Sequence, residues 1–125
     1  MAMSAAFSVT SARQHDCVTV TVAGDVDLLN VAALRRCLGE TLIEGCRRLV
    51  VDMSEVTFID SAGLGALVAA WKRARVLRAD LVVWRPSPPV TTVLGLTALD
   101  RVLRVDVRET HPDADEQATW SVLPS

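Results

Sequence analysis

An acid and a hydroxyl stand side by side at Asp60-Ser61, in the run Thr57-Phe58-Ile59-Asp60-Ser61-Ala62-Gly63-Leu64-Gly65. An apolar run at residues 49–51 precedes them and a helix-period segment follows, which puts the pair at a strand-to-helix junction. Free backbone N–H groups gather at such a junction, and a hydroxyl there can cap the helix, attack a substrate or accept a group. Gly63 and Gly65 each weaken a helix interior by about 1 kcal/mol relative to Ala. Close approach of a partner to the backbone accounts for them, and so does close packing of the helix on a sheet.

Nucleophilic catalysis lacks its other parts. A nucleophile elbow reads G-x-S-x-G, and position 59 is Ile. The histidines available as a base are His15, in a turn, and His111, in a polar tail; neither is placed to serve Ser61. Gly63-Leu64-Gly65 is not followed by the GK[ST] of a P-loop and does not complete G-x-G-x-x-G. Asp25 and Asp27 could hold a divalent ion, and they could equally be turn residues. Cys17, Cys37 and Cys46 are odd in number with no C-x-x-C spacing, so reduced, mostly buried thiols are expected rather than a metal or redox centre.

The elements that must position these residues follow from periodicity. Residues 7–13 alternate weakly, Gln14-His15-Asp16 suits a turn, and residues 17–22 alternate valine with threonine as a strand does. Gly24-Asp25-Val26-Asp27 is expected to break that strand into a loop. A first helix should start at Asn30 as N-cap, carry Val31, Leu34, Leu38 and Leu42 on one stripe, and stop at Gly45. Residues 48–53 are apolar without alternation, as in a strand covered on both faces. The second helix follows Ser61, with Leu64, Leu67, Val68 and Trp71 as its stripe. A strand at 81–84, a short helix opened by Ser87 and carrying Val90, Val93, Leu94 and Leu96, and a strand at 102–107 complete the order β-β-α-β-α-β-α-β.

That order predicts an α/β fold: a mostly parallel central sheet with an antiparallel N-terminal strand and helices packed on it. Its functional edge lies beyond the carboxyl ends of the strands. The two loops expected there, 25–29 and 54–61, bring Asp25 and Asp27 toward Asp60-Ser61.

At 125 residues, 50% hydrophobic and 22% charged, the chain suits one domain with a real core. A formal net charge of −2 gives no global field toward nucleic acid or anionic lipid. There is no apolar run near the roughly 20 residues that cross a bilayer, and residues 1–8 lack the regions of a signal peptide. A cytoplasmic protein with no direct nucleic-acid or membrane contact is expected.

Several segments together resemble the STAS domain, and specifically the bacterial anti-sigma factor antagonists. The core pattern D-S-[ST]-G-L-[GA] is matched by Asp60-Ser61-Ala62-Gly63-Leu64-Gly65. The G-x-[IVL]-D loop is matched by Gly24-Asp25-Val26-Asp27, and the Asn before the first helix by Asn30. Pro86-Ser87-Pro88 and Leu96-Thr97-Ala98-Leu99-Asp100 are similar to the S-P and L-T-G-L-D segments. The resemblance implies a STAS domain over residues 1–108, with residues 109–125 a polar tail, frayed or loosely docked as a helix.

By function it implies a regulatory module rather than an enzyme, with no cofactor. Its partner would be an ATP-dependent anti-sigma factor serine kinase, which phosphorylates Ser61 and so lets go of the antagonist. A metal-dependent serine/threonine phosphatase usually reverses the mark. The implied contact surface consists of Asp25, Asp27, Asn30, Asp60, Ser61, Gly63, Leu64 and Gly65. A non-phosphorylated STAS scaffold or accessory domain, with Ser61 merely a cap, and a nucleotide-binding STAS module are the alternatives. Two positions depart from the pattern: Ala62 replaces the second hydroxyl, and Ala98 replaces the usual glycine near the end of the third helix.

Overall fold

Val18, Val20 and Val22 point to one side of their strand and Cys17, Thr19 and Thr21 to the other, and the two sides meet different halves of the structure. The computed structural model describes residues 6–114. The elements are β1 (Ser8–Gln14), β2 (Cys17–Val26), α1 (Val31–Glu44), β3 (Arg48–Ile59), α2 (Ser61–Val76), β4 (Asp80–Trp84), α3 (Pro88–Leu96) and β5 (Arg104–Asp106). A 3-10 turn, Leu99–Arg101, links the last two. The sheet order is β1-β2-β3-β4-β5, antiparallel between β1 and β2 and parallel elsewhere.

The valine side carries the main core. Leu34, Leu38 and Leu42 of α1, Leu64 and Leu67 of α2, and Val90 and Leu94 of α3 pack there against Val20, Val22, Leu49, Val51, Met53, Leu81 and Val83. On α2 the buried stripe is broader than its large residues imply, because Gly63, Ala66, Ala70 and Ala74 are buried too, while Val68 and Trp71 are only half-buried. Small residues there let the helix lie close to the sheet.

The opposite side holds Cys17, Val50 and Trp84, crossed by the chain after β5. Trp84 Nε1 donates to the Arg108 carbonyl at 2.8 Å, and Asp113 accepts from Arg47 and Arg48 at 2.9 and 3.3 Å. Thus β3 is covered on both faces, by helices on one and by this strap on the other. From Val107 to Asp113 the strap is made of bends and turns, and residues 115–125, where a helical tail was expected, lie outside the described residues.

Several boundaries differ from expectation. β2 does not end at Gly24 but runs to Val26, and β3 does not end at Met53 but runs to Ile59, so residues 25–26 and 54–59 are strand rather than loop. The two extensions pair with each other: Ala23 aligns with Glu55, Gly24 with Val56, and Val26 with Ile59. Two register shifts, between Thr21 and Ala23 and between Gly24 and Asp25, absorb the glycine. Gly24 sits at φ +84, and a Cβ there would come within 2.5 Å of the Ala6 carbonyl oxygen, so no other residue fits.

At the far end, β5 is Arg104–Asp106 rather than 102–107, because the 3-10 turn uses the preceding residues. Leu96, expected on the α3 stripe, is 81% exposed. Ser87 precedes α3 as expected, but its hydroxyl makes no capping bond; Thr91 N donates to the Ser87 carbonyl instead.

Candidate functional site

The parallel β2 and β3 ladders end together, so the turns after Val26 and Ile59 leave the same sheet edge. Asp60 N donates to the Val26 carbonyl at 3.2 Å, which makes Asp60 the last link of that ladder. Its backbone stays extended at φ −113, ψ −171, and its carboxylate turns onto the helix. Oδ1 accepts from Ala62 N at 2.9 Å and Gly63 N at 3.1 Å, satisfying two of the open donors of α2. Oδ2 accepts from Leu28 N at 3.3 Å. One carboxylate therefore caps α2 and also ties it to the β2–α1 loop.

Asp27 orders the turn that leads into α1. Its Oδ1 accepts from Leu29 N and Asn30 N, both at 3.1 Å, and its carbonyl accepts from Val31 N at 2.9 Å. Asn30 holds the N-cap position but makes no side-chain cap. Its Nδ2 instead donates back to the Asp25 carbonyl at 2.9 Å. Asp25 Oδ1 accepts from the Thr57 hydroxyl at 2.6 Å across the two strands. Both acids are thus engaged in local bonds. Among the described residues no group of three or more His, Cys, Asp or Glu is arranged to hold a metal.

With Asp60 capping, Ser61 is left as the exposed first residue of α2, and its hydroxyl makes no hydrogen bond among the described residues. Ala62 beside it is half-buried and brings no second hydroxyl. The glycines part company. A Cβ on Gly63 would lie 2.8 Å from Ile59 Cγ1, 2.8 Å from Val26 Cγ1 and 2.9 Å from the Val26 carbonyl oxygen, so this glycine is a packing requirement against the sheet end. A Cβ on Gly65 would meet only Arg35 Nη2, at 3.3 Å. Leu64 is buried in the core and faces away from the open surface.

Three large hydrophobic residues in the two segments joined by the Asp60–Leu28 bond are exposed, which the motifs did not bring out. Leu28 is 75% exposed, Leu29 89% and Phe58 49%. Leu28 is fixed by its bond to Asp60, and Phe58 lies opposite Asp25 in the strand register. The available signal was that Leu28 and Leu29 stand just ahead of the α1 stripe, which starts at Val31, so no helical face buries them.

The STAS domain family model matches residues 8–114. Among curated proteins, the chain is 27% identical over 93 residues to an anti-sigma-B factor antagonist of Listeria monocytogenes, covering 74% of this chain and 82% of that protein. It is 36% identical over 62 residues to the anti-sigma-F factor antagonist RsfB of Mycobacterium tuberculosis, covering 50% and 51% of the two chains. Among solved structures, an anti-sigma factor antagonist from Mycobacterium paratuberculosis superposes with a TM-score of 0.75 at 23% identity, covering 92% of this chain and 93% of that one. Unphosphorylated SpoIIAA superposes with a TM-score of 0.71 at 16% identity, covering 95% and 100%. At such identities the structures speak for the fold, while the family match extends through the strap and spans the described elements. The chain belongs to the STAS domain family.

Proposed function

We propose that this chain is an anti-sigma factor antagonist that binds an anti-sigma factor serine kinase and is released by phosphorylation at Ser61. The observation that carries the reading is the division of labour at the α2 N-terminus. Asp60 supplies the cap, so the exposed Ser61 hydroxyl has no structural task. The names of the relatives agree, as anti-sigma-B and anti-sigma-F factor antagonists, and one structural neighbour is SpoIIAA in its phosphorylated form.

In the proposed transfer, Ser61 Oγ forms a bond to the γ-phosphorus of ATP while the bond from that phosphorus to ADP breaks. The hydroxyl proton goes to a base of the kinase. No catalytic step is assigned to the antagonist. Its contact surface comprises Leu28, Leu29 and Phe58 around Ser61, with Asp25, Asp27, Asn30 and Asp60 holding the loop in shape, Gly63 and Leu64 seating α2 on the sheet, and Gly65 at the rim. Phosphate adds about −1.5 to −2 charges to this apolar patch. An interface formed over it would bury that charge, at a cost on the order of 3–5 kcal/mol when unpaired, or two to four decades in affinity.

The test is intact-mass spectrometry after incubation with candidate kinase and ATP, on the wild type and Ser61→Ala. One phosphate on the wild type and none on Ser61→Ala is expected; a phosphate that persists on Ser61→Ala refutes the assignment. Ser61→Asp should weaken kinase binding, and undiminished binding would favour a scaffold role.

A further inference from the structure

Helices α1 and α2 run side by side with a shallow groove between them, lined by Arg35, Leu38, Gly39, Ala66, Ala69 and Arg73. In this groove an arginine of each helix lies over a glycine of the other. Arg73 Nη1 is 3.5 Å from the position of a Cβ on Gly39, and Arg35 Nη2 is 3.3 Å from that of a Cβ on Gly65. Neither guanidinium pairs with a carboxylate among the described residues, although other arginines, such as Arg47, Arg48, Arg85 and Arg104, do.

The two arginines differ in their distance from Ser61. Residues four apart on a helix are neighbours on its surface, about 5–6 Å between Cβ atoms, and Gly65 is four residues past Ser61. Helical Cα–Cβ bonds tilt toward the N-terminus, so a group seated where residue 65 would carry its Cβ lies over the Ser61 turn. Arg35 Nη2 comes within 3.3 Å of that place, and residue 65 has no side chain to displace it. Arg73 is twelve residues further along α2, about 18 Å by helical rise.

We propose that Arg35 is the intramolecular counter-ion of phosphorylated Ser61. This rests on the reading of Ser61 as the phosphoacceptor and adds to it the group that receives the phosphate within the chain. The guanidinium presents a planar fork of N–H donors that fits two phosphate oxygens, and a short swing of an exposed, unpaired side chain brings it there. Pairing draws the phosphate toward the α1–α2 seam and takes Arg35 off Gly65. The two states of the protein then differ in the shape of this surface as well as its charge.

The test uses the full chain with phosphoserine installed at position 61 during translation, so that no kinase is needed. The second ionisation of the phosphate is followed by phosphorus-31 NMR at low ionic strength in the wild type, Arg35→Gln and Arg73→Gln. The field of the α2 N-terminus is common to all three and cancels. The wild type should titrate roughly 0.3–0.7 unit below Arg35→Gln, a gap that narrows on adding salt, and Arg73→Gln should match the wild type. Agreement of Arg35→Gln with the wild type to within about 0.1 unit, or an equal rise in Arg73→Gln, overturns the proposal. The outcome is independent of whether a kinase modifies Ser61, which the mass measurement decides separately.

Discussion

Gly63 and Gly65 are two residues apart on the same helix, and their replacement by alanine should change stability in opposite directions. At Gly63 the new methyl would stand 2.8 Å from each of two buried branched side chains, Val26 and Ile59, and 2.9 Å from the Val26 carbonyl oxygen. The carbonyl belongs to a strand end and already accepts from Asp60 N, so it cannot move without loosening the ladder. Overpacking of a core costs about 1–3 kcal/mol, and this site belongs at the upper end. The gain in helix propensity, below about 1 kcal/mol in a first turn, leaves a net loss of about 2 kcal/mol. At Gly65 the methyl would meet only the end of Arg35, at 3.3 Å, and that side chain can move. Propensity then dominates, with a gain of about 0.5–1 kcal/mol. Urea titration of both variants measures the two values. For a domain of this size the Gly63→Ala loss corresponds to a fall of about 8 °C in Tm. The Leu28 amide, held by Asp60, should also exchange faster in Gly63→Ala. A Gly63→Ala protein as stable as the wild type, or two variants shifting in the same direction, would refute the close seating of α2 on the sheet end.

Removing the Asp60 carboxylate as Asp60→Ala strips acceptors from Ala62, Gly63 and Leu28 and should cost about 1–2 kcal/mol, with faster amide exchange at Ala62 and Leu28 together. Ala98 sits at φ 59, and Ala98→Gly should relieve left-handed strain and stabilise the domain by about 1 kcal/mol in urea titration. His111 Nε2 lies 2.7 Å from the Thr19 hydroxyl, and His111 Nδ1 accepts from Asp113 N at 3.0 Å, so the ring is held neutral. Burial lowers its pKa below the ordinary 6.5, against the opposing pull of Asp113 and Asp52 and with the help of Arg48 and Arg85. The unfolded chain then binds the proton more readily, so this contribution to stability is complete above about pH 6.5 and is lost as pH falls toward the folded-state pKa. His111→Gln should flatten that part of the pH profile of the urea midpoint.

The sheet and helices were legible because their stripes are made of large residues: Val18, Val20 and Val22, Leu34, Leu38 and Leu42, Leu49 and Val51. The strand ends were not. Gly24 reads as a breaker when the chain is taken alone, yet β3 offers it a ladder, and the register shifts that accommodate it depend on pairing across more than thirty residues. The same cause hid the extension of β3, whose outer half shows no strand alternation and is held by its pairing with β2. At the site, Asp60-Ser61 was visible as a cap and a hydroxyl, but which of them caps depends on the direction of one carboxylate. Asn30 likewise reads as a cap in sequence, but its side chain turns back to the Asp25 carbonyl, a contact set by the turn that Asp27 organises. Gly63 and Gly65 looked alike in sequence because what separates them is the position of Val26 and Arg35. The exposure of Leu28, Leu29 and Phe58 was invisible to motif matching, which compares residues and not the space around them.

The spatial order of the strands is also the order in which a ribosome makes them. Each new strand finds its neighbour already synthesised, and none must wait for a later segment to be inserted between earlier ones. Such a sheet can grow outward from its first hairpin during synthesis, with loop closures no longer than one helical crossover. The proposed switch surface needs only β2, α1, β3 and the start of α2, all within the first two-thirds of the chain. Ser61 and the proposed contact surface can therefore take shape on a nascent chain before the strap, which follows β5, closes over the opposite face.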